Sequence, residues 1–314
     1  MAADLSARRL LAALAPAVFV LLWATGFIGA KLGLPYVEAG TFLTLRFALV
    51  LLLMAPLLLV LRDQRLGGWR TLGHVAVVGA LIHGAYLGGV FESIGRGMPA
   101  GLVALIVALQ PLLTAAVVGP LLGERVGRRQ VAGLLLGLVG VGLVLSDKLV
   151  GPQGSGTGGE GGPLFAGFGL DALAFNLLAL LGITLGTVYQ KRFAQHVPLI
   201  GGAVVQYAAA TLVVGVPALL FESNRIVWSG ELVVALGWLV LVMSIGAVTL
   251  LMLLIRWGEA SRTASLFYLV PPVTAVIAFL LFDERLGALA LGGMAVTVVG
   301  VALVVVRPGA ARQG

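Results

Sequence analysis

The sequence predicts an all-α integral membrane protein with ten transmembrane helices, arranged as two inverted five-helix repeats around a central cavity. Three observations lead to this prediction. The 314 residues are 60% hydrophobic and only 11% charged. They contain ten apolar runs of about the length that crosses a bilayer. The stretch LLGERVG at 121–127 returns as LFDERLG at 281–287.

The composition excludes most soluble classes of protein. A soluble domain is about 45–50% apolar and about 25% charged, so a chain with 11% charged residues lacks the polar surface to cover a soluble core. The net charge of +7 could indicate nucleic-acid binding, but basic residues also accumulate in the cytoplasmic loops of membrane proteins. We therefore expect the lipid bilayer, and no nucleic acid, as a partner. The lack of cysteine excludes disulfides, thiolate metal sites and cysteine nucleophiles.

The apolar runs fix the number of spans. A helix rises 1.5 Å per residue, so about 20 residues cross a hydrocarbon core of about 30 Å. The first run follows Arg8 and Arg9, as in a signal peptide, but it is too long for a typical signal sequence and is predicted to be retained. The ten runs lie at 12–34, 41–61, 72–91, 99–121, 130–146, 169–190, 200–221, 232–255, 263–282 and 287–306.

The basic residues between the runs predict the orientation. The N-terminus, the C-terminus and the connections at 62–71, 122–129, 191–199 and 256–262 hold 14 Lys and Arg residues, whereas the opposite connections hold 5. Because cytoplasmic loops are enriched in Lys and Arg, both termini are predicted in the cytoplasm. This bias supports an even number of spans.

A shift of 160 positions aligns the two halves. When 111–144 is laid on 271–304, 13 of 34 residues are identical, including Pro111 with Pro271 and Glu124 with Glu284. The same shift aligns Lys31 with Lys191. Each half has five spans, an odd number, so the second half enters the membrane from the opposite side, as in many secondary transporters. The predicted units are a first repeat at 12–146, a Gly-rich linker at 147–168 and a second repeat at 169–306.

Two glycine-containing features are predicted to be structural. The run GPQGSGTGGEGGPLFAGFG at 151–169 lacks the GK[ST] ending of a phosphate-binding loop and is expected to be a flexible linker. Gly133 and Gly137 form a small-xxx-small motif, which allows two helices to approach closely and is expected to join the two halves. The repeated Glu-Arg pair is expected to form a charged, water-facing helix end.

Prolines and polar residues within the spans are candidates for the lining of a cavity. Pro111 and Pro271 are expected to kink helices four and nine and to free the carbonyls of Val107 and Phe267. Polar groups in a bilayer tend to face the bundle interior, where each could contact a substrate or hold helices together. His83 and Tyr86 are three residues apart and share a helix face. Trp23 and Phe27 also share a helix face. So do the three residues Thr184, Thr187 and Lys191.

Arg46 is the one strong charge inside a predicted span. Its guanidinium could snorkel to the membrane surface, pair with Glu38, or anchor a substrate carboxylate. The sequence alone does not decide among these three roles of Arg46.

The chain resembles a known family of transporters. The segments WATGFIGAKLGL at 23–34 and LRFALVLLL at 45–53, the two prolines and the two Glu-Arg ends are similar to the EamA family of the drug/metabolite transporter superfamily, over about residues 12–306. Within that family the chain is most similar to YddG-type exporters of aromatic and other neutral amino acids. The resemblance implies a central cavity walled by helices one to four and six to nine, with helices five and ten at the periphery. It selects as substrate-binding residues Trp23, His83, Tyr86, Gln110, Gln206, Tyr207 and Tyr268.

The function implied is the export of small neutral or amphipathic metabolites, most of all amino acids, by a monomer in the bacterial cytoplasmic membrane. A sugar-phosphate or nucleotide-sugar transporter is the alternative within the superfamily, and a channel or receptor is the alternative outside it. An enzyme is not expected, because His74, His83 and His196 share no metal-binding spacing and the spans hold no paired acids. No catalytic residue, metal or cofactor is expected.

Overall fold

The computed structural model describes residues 2–114, 128–150, 167–247 and 266–305, together with Leu250 and Leu254. Over these residues the chain is helical, with short connections, an isolated bridge between Val37 and Ile226, and no β-strand. The helices are α1 (Ala2–Gly33), α2 (Ala39–Val60), α3 (Trp69–Gly95), α4 (Ala100–Thr114), α5 (Arg128–Val150), α6 (Leu170–Phe193), α7 (Leu199–Phe221), α8 (Gly230–Ala247), α9 (Phe267–Phe282) and α10 (Ala288–Val305).

Each apolar run of the sequence overlaps one of these helices. Six are long and apolar enough to cross a membrane, namely α1 from Leu14 onward, α2, α3, α6, α7 and α8. The other four contain shorter apolar stretches, at Ala100–Thr114, Val131–Asp147, Phe267–Phe282 and Ala288–Leu303. α5 continues to Val150, four residues into the segment predicted as linker. Most of the predicted linker, at 151–166, lies outside the described residues, as do parts of the fourth, eighth and ninth runs.

Two helices adopt π-helical winding, in which each N–H bonds to the carbonyl five residues earlier. It covers Ala80–Leu87 in α3 and Trp238–Ala247 in α8. Such winding is rare and often marks functional positions. The shift of 160 carries residues 80–87 onto 240–247, so the two segments occupy matching places in the two halves of the chain.

α5 and α10 pack through glycines in a reciprocal arrangement. A Cβ atom added at Gly293 would lie 2.5 Å from the carbonyl oxygen of Gly140. A Cβ atom added at Gly300 would lie 2.7 Å from the carbonyl oxygen of Gly133 and 2.8 Å from the Gly137 nitrogen. The shift of 160 converts each contact into the other, as a two-fold relation requires. The predicted close contact at Gly133 and Gly137 is confirmed, with α10 as the partner helix.

The second Glu-Arg pair joins α1 to the end of α9. The Glu284 carboxylate forms an ion pair with Lys31 Nζ, and the Glu284 side chain is only 12% exposed. Arg285 instead bonds to Asp283 at 3.1 Å and is exposed. The prediction of a water-facing end therefore fits Arg285 but is wrong for Glu284, because the Glu284 carboxylate pairs with Lys31 of α1 and is mostly buried. The first pair, at 124–125, lies outside the described residues.

Two carboxylates join the start of α2 to the end of α7. Glu222 accepts hydrogen bonds from the Gly40 N–H at 2.7 Å and from both the N–H and the hydroxyl of Thr41 at 2.7 Å. The N–H groups of a first helical turn have no acceptor within their own helix, so Glu222 satisfies them from another helix. In return, Glu38 accepts from the Ser223 N–H at 2.7 Å.

Replacing Glu222 with alanine is expected to lower the free energy of unfolding by about 1–3 kcal/mol, because the N–H groups of Gly40 and Thr41 would lose a charged acceptor. Thermal unfolding of the purified protein in detergent measures this. The matched control is Asp63→Ala, since the exposed Asp63 carboxylate accepts a side-chain bond from its neighbour Gln64 and from no other described residue. A change within about 0.5 kcal/mol is expected there. Equal losses in both variants would contradict the role of Glu222.

Candidate substrate-binding cavity

A cavity of about 170 Å³ lies among α1, α2, α3, α6, α7 and α8. Its lining is mostly apolar and aromatic with a few polar groups, which is the composition of small-molecule sites. Both π-helical segments contribute to it. The described lining residues are Trp23, Gly26, Phe27, Arg46, Ile82, His83, Tyr86, Leu87, Val90, Phe91, Ile183, Tyr207, Met243 and Ser244.

Aromatic packing holds two walls of the cavity in place. The His83 and Tyr207 rings stack with centroids 4.5 Å apart, and the fully buried Phe47 lies behind Tyr207 at 5.6 Å. On the α1 side, Trp23 meets Phe267 edge to face at 5.0 Å. Aromatic pairs of this kind favour particular ring orientations and stabilise them by more than the burial of apolar area alone. The cavity therefore presents preformed aromatic surfaces.

Arg46 lies in the cavity wall with only 6% of its surface exposed. Its Nη2 donates to Ser244 Oγ at 3.2 Å, and that hydroxyl in turn donates to the Leu239 carbonyl at 3.0 Å. Its Nε has no hydrogen-bond partner among the described residues. Snorkelling and pairing with Glu38 are both overturned, because the guanidinium is buried and Glu38 bonds to Ser223 instead.

A second polar position faces the π-helical segment of α3. The Gln206 side chain lies next to His83, whose Nδ1 is buried and has no partner among the described residues. The shift of 160 carries Arg46 onto Gln206. Arg46 thus connects α2 to Ser244 of α8, and at the matching position of the second half Gln206 of α7 lies beside His83 of α3.

Four of the predicted substrate-binding residues line the cavity, namely Trp23, His83, Tyr86 and Tyr207. Gln206 stands beside His83. Gln110 and Tyr268 are not among the described lining residues: Gln110 donates to Thr187 Oγ1 at 3.3 Å, which joins α4 to α6, and Tyr268 is 5% exposed.

The two prolines have different local structures. Pro111 follows a turn at Ala108–Leu109 that interrupts α4. Pro271 lies in the first turn of the α-helical part of α9, directly after a 3₁₀ turn at Phe267–Leu269. The predicted free carbonyl at Phe267 is wrong, because it accepts a bond from the Val270 N–H within that turn.

The sequence reasoning missed eight residues of the described lining, which are Gly26, Ile82, Leu87, Val90, Phe91, Ile183, Met243 and Ser244. They are apolar or small and carry no signal of their own in an apolar span. The internal repeat could have found two of them, since the shift of 160 carries Trp23 onto Ile183 and His83 onto Met243.

A wider groove of about 460 Å³ lies where α2 begins and where α3 and α7 end, and it is lined by several charged residues. Glu38 and Glu222 hold backbone N–H groups there, and Glu92 pairs with Arg96 at 3.1 Å. Because these carboxylates are engaged in joining the helix ends, the aromatic cavity around Arg46 is the better candidate for a substrate site.

Several known proteins are similar over most of the chain. An uncharacterized transporter of Bacillus subtilis, YvbV, is 28% identical, with 93% of this chain and 90% of that protein covered. A probable amino-acid metabolite efflux pump of Escherichia coli is 26% identical over 90% of each chain. One protein crystal structure superposes with a TM-score of 0.59 at 23% identity, over 93% of this chain and 95% of that chain, which shows a shared fold.

The sequence pattern of the EamA-like transporter family matches the chain twice, at residues 10–146 and 171–306. Together the two matches cover most of the 314 residues, and the described helices within them are apolar and include six long enough to cross a membrane. This chain therefore belongs to the EamA-like transporter family, within the drug/metabolite transporter superfamily, and is a multi-pass membrane transporter.

Proposed function

We propose that this transporter exports small neutral or amphipathic metabolites, most of all aromatic and other neutral amino acids, by alternating access. The observation that carries the proposal is the cavity itself, which combines aromatic walls with a buried guanidinium. An aromatic ring on the solute could pack on these walls, and a polar group could meet Arg46. The name of the E. coli relative, a probable amino-acid metabolite efflux pump, points the same way.

The proposed architecture is ten spans in two inverted five-helix repeats at 12–146 and 169–306. Three observations support it: the family pattern matches each half, the two π-helical segments are 160 residues apart, and the glycine contacts of α5 and α10 are reciprocal. The basic connections favour cytoplasmic termini, in the bacterial cytoplasmic membrane. Because a pair of repeats completes the cavity within one chain, the proposed working unit is a monomer.

Alternating access follows from this arrangement. The cavity lies between α1–α3 of the first half and α6–α8 of the second. Two similar halves of opposite orientation can exchange conformations, which opens the site to one side and then to the other. The π-helical segments are suited to this exchange, because such winding can convert to α-helix by moving one hydrogen-bond register.

A sugar-phosphate or nucleotide-sugar transporter is the less favoured alternative. Phosphate sites usually gather several Lys or Arg side chains, whereas Arg46 is the one Lys or Arg among the described lining residues. A channel or receptor is also less favoured, because the chain belongs to a transporter family and its cavity is small and lined by aromatic rings that pack against one another.

Counterflow in proteoliposomes tests the proposal. Vesicles preloaded with unlabelled amino acid receive traces of labelled tryptophan, phenylalanine or threonine, or of a sugar phosphate, with and without a pH gradient. Saturable accumulation of an amino acid is the expected result. Flux of the sugar phosphate alone would favour the alternative, and flux without saturation would indicate a channel.

The variant Trp23→Ala is expected to reduce phenylalanine counterflow about tenfold. The substitution would remove stacking and apolar contact worth about 1–1.5 kcal/mol from one cavity wall. The control is Trp69→Ala, since Trp69 lies at the start of α3 with 78% of its surface exposed. Yield and thermal stability are compared in both variants. Unchanged counterflow in Trp23→Ala would remove this residue from the site.

A further inference from the structure

Arg46 is a buried charge for which the described part of the chain supplies no counter-charge. None of the ion pairs between described residues includes it. Among these residues, its guanidinium bonds to one side chain, the neutral hydroxyl of Ser244. Removing a cation from water without a paired anion costs several kcal/mol. An arginine in this setting therefore favours the arrival of an anion.

The cavity has the groups that would receive such an anion. Arg46 lines it, and the Nε atom of its planar guanidinium is still free among the described residues. A guanidinium binds carboxylates through two parallel hydrogen bonds. Ser244 positions one end of the guanidinium at 3.2 Å. His83, with an unpartnered Nδ1 among the described residues, lies in the same lining.

We infer that Arg46 binds the carboxylate of the transported molecule, and that the cavity selects its ligand by this carboxylate and not by an amino group. The inference rests on the proposed export of small metabolites and specifies the group that is recognised. The cavity volume of about 170 Å³ suits a small carboxylic acid better than a nucleotide or an oligosaccharide.

The amino group has no comparable partner. Among the described lining residues there is no Asp or Glu, so an ammonium group would meet no carboxylate there, but only neutral acceptors and aromatic faces such as Trp23 and Tyr207. Carboxylates that lack an amino group should therefore compete with amino acids. Molecules that keep the amino group but lack the carboxylate should not.

The test uses the wild-type protein and three analogues of phenylalanine. 3-Phenylpropionate keeps the carboxylate, 2-phenylethylamine keeps only the amine, and phenylalaninamide has a neutral amide in place of the carboxylate. Each competes against labelled phenylalanine in counterflow, and each is also tested for protection against thermal unfolding in detergent. We expect phenylpropionate to compete within about threefold of phenylalanine and the two other analogues to be at least about tenfold weaker.

Two substitutions of Arg46 add a second readout. Arg46→Gln is expected to abolish the preference for phenylpropionate over phenylethylamine, and Arg46→Lys to retain part of it, because an ammonium keeps the charge but not the paired donors. The control is Arg192→Gln, at the exposed end of α6. Should Arg46→Gln fail to fold, the wild-type competition series still decides the question.

The outcomes separate this inference from the proposed function. Thermal protection by phenylpropionate, with no flux of any amino acid, would support the carboxylate site and contradict amino-acid export. Amino-acid flux that phenylethylamine inhibits as strongly as phenylpropionate would leave export standing and overturn the carboxylate site. Equal protection by all three analogues, or an unchanged preference in Arg46→Gln, would also overturn it.

Discussion

The charge-reversal variants Lys31→Glu and Glu284→Lys are each expected to lower the free energy of unfolding by about 2–4 kcal/mol, and the double variant is expected to recover most of that loss. Exposed ion pairs contribute about 0–1 kcal/mol, whereas breaking a buried pair costs about 3–5 kcal/mol. The two side chains are 28% and 12% exposed, so the pair falls toward the buried limit.

The local structure explains why recovery should be incomplete. Glu284 also accepts a bond from the Ala100 N–H at 3.4 Å, and the Lys31 ammonium lies 5.1 Å from the centre of the Phe282 ring. A lysine at position 284 cannot accept from that N–H, and a carboxylate at position 31 would face the ring unfavourably. The ion pair itself, however, would be restored across the same ends of α1 and α9.

Thermal or denaturant unfolding of the four proteins in one detergent gives the coupling energy directly. The matched control is Arg285→Glu, because Arg285 pairs with Asp283 on the surface, where the side chains are 77% and 71% exposed. That variant is expected to change stability by no more than about 1 kcal/mol. A double variant no more stable than the single ones would show that charge attraction does not join these helices.

The substitution Gly293→Leu is expected to destabilise the protein by about 3 kcal/mol, at the upper end of the range for overpacked cores. Even the Cβ atom of a side chain at this position would lie 2.5 Å from the Gly140 carbonyl oxygen and 2.9 Å from the Leu143 Cβ. The first of these is backbone, so a leucine can be accommodated only if α10 moves away from α5. Folded yield and thermal stability in detergent measure the effect.

The neighbouring residue provides the control for that substitution. A Cβ atom at Gly292 would meet nothing within 4 Å, and this residue is exposed on the outer face of α10. Gly292→Leu is therefore expected to fold as well as the wild type, since leucine is favourable on a lipid-facing surface. A similar loss in both variants would contradict the close packing of α5 and α10.

The helices were predictable from the sequence because each needs only a local signal. An apolar run of about 20 residues has to satisfy its own backbone in a bilayer, and a helix does so without neighbours. This is why each apolar run overlaps a described helix. The π-helical segments were not predictable, because the hydrophobic pattern of a buried span is the same for both kinds of winding.

The site was predictable in part. Trp23, His83, Tyr86 and Tyr207 are aromatic or titratable groups that stand out in an apolar span, and they line the cavity. Gln110 stands out equally, yet it bonds across to α6. A polar residue in a span signals that it faces protein, but whether it faces a neighbour or a cavity depends on how the helices are packed.

The sequence by itself determined that this is a helical membrane protein with an internal repeat, because composition, run length and a 160-residue shift are properties of the chain alone. Only the tertiary structure decided the partners of the charged residues. It placed Glu284 against Lys31 and left Arg46 beside Ser244 without a carboxylate among the described residues. The physical reason is that a buried charge is stabilised by groups distant in sequence, and their distances are set by helix packing.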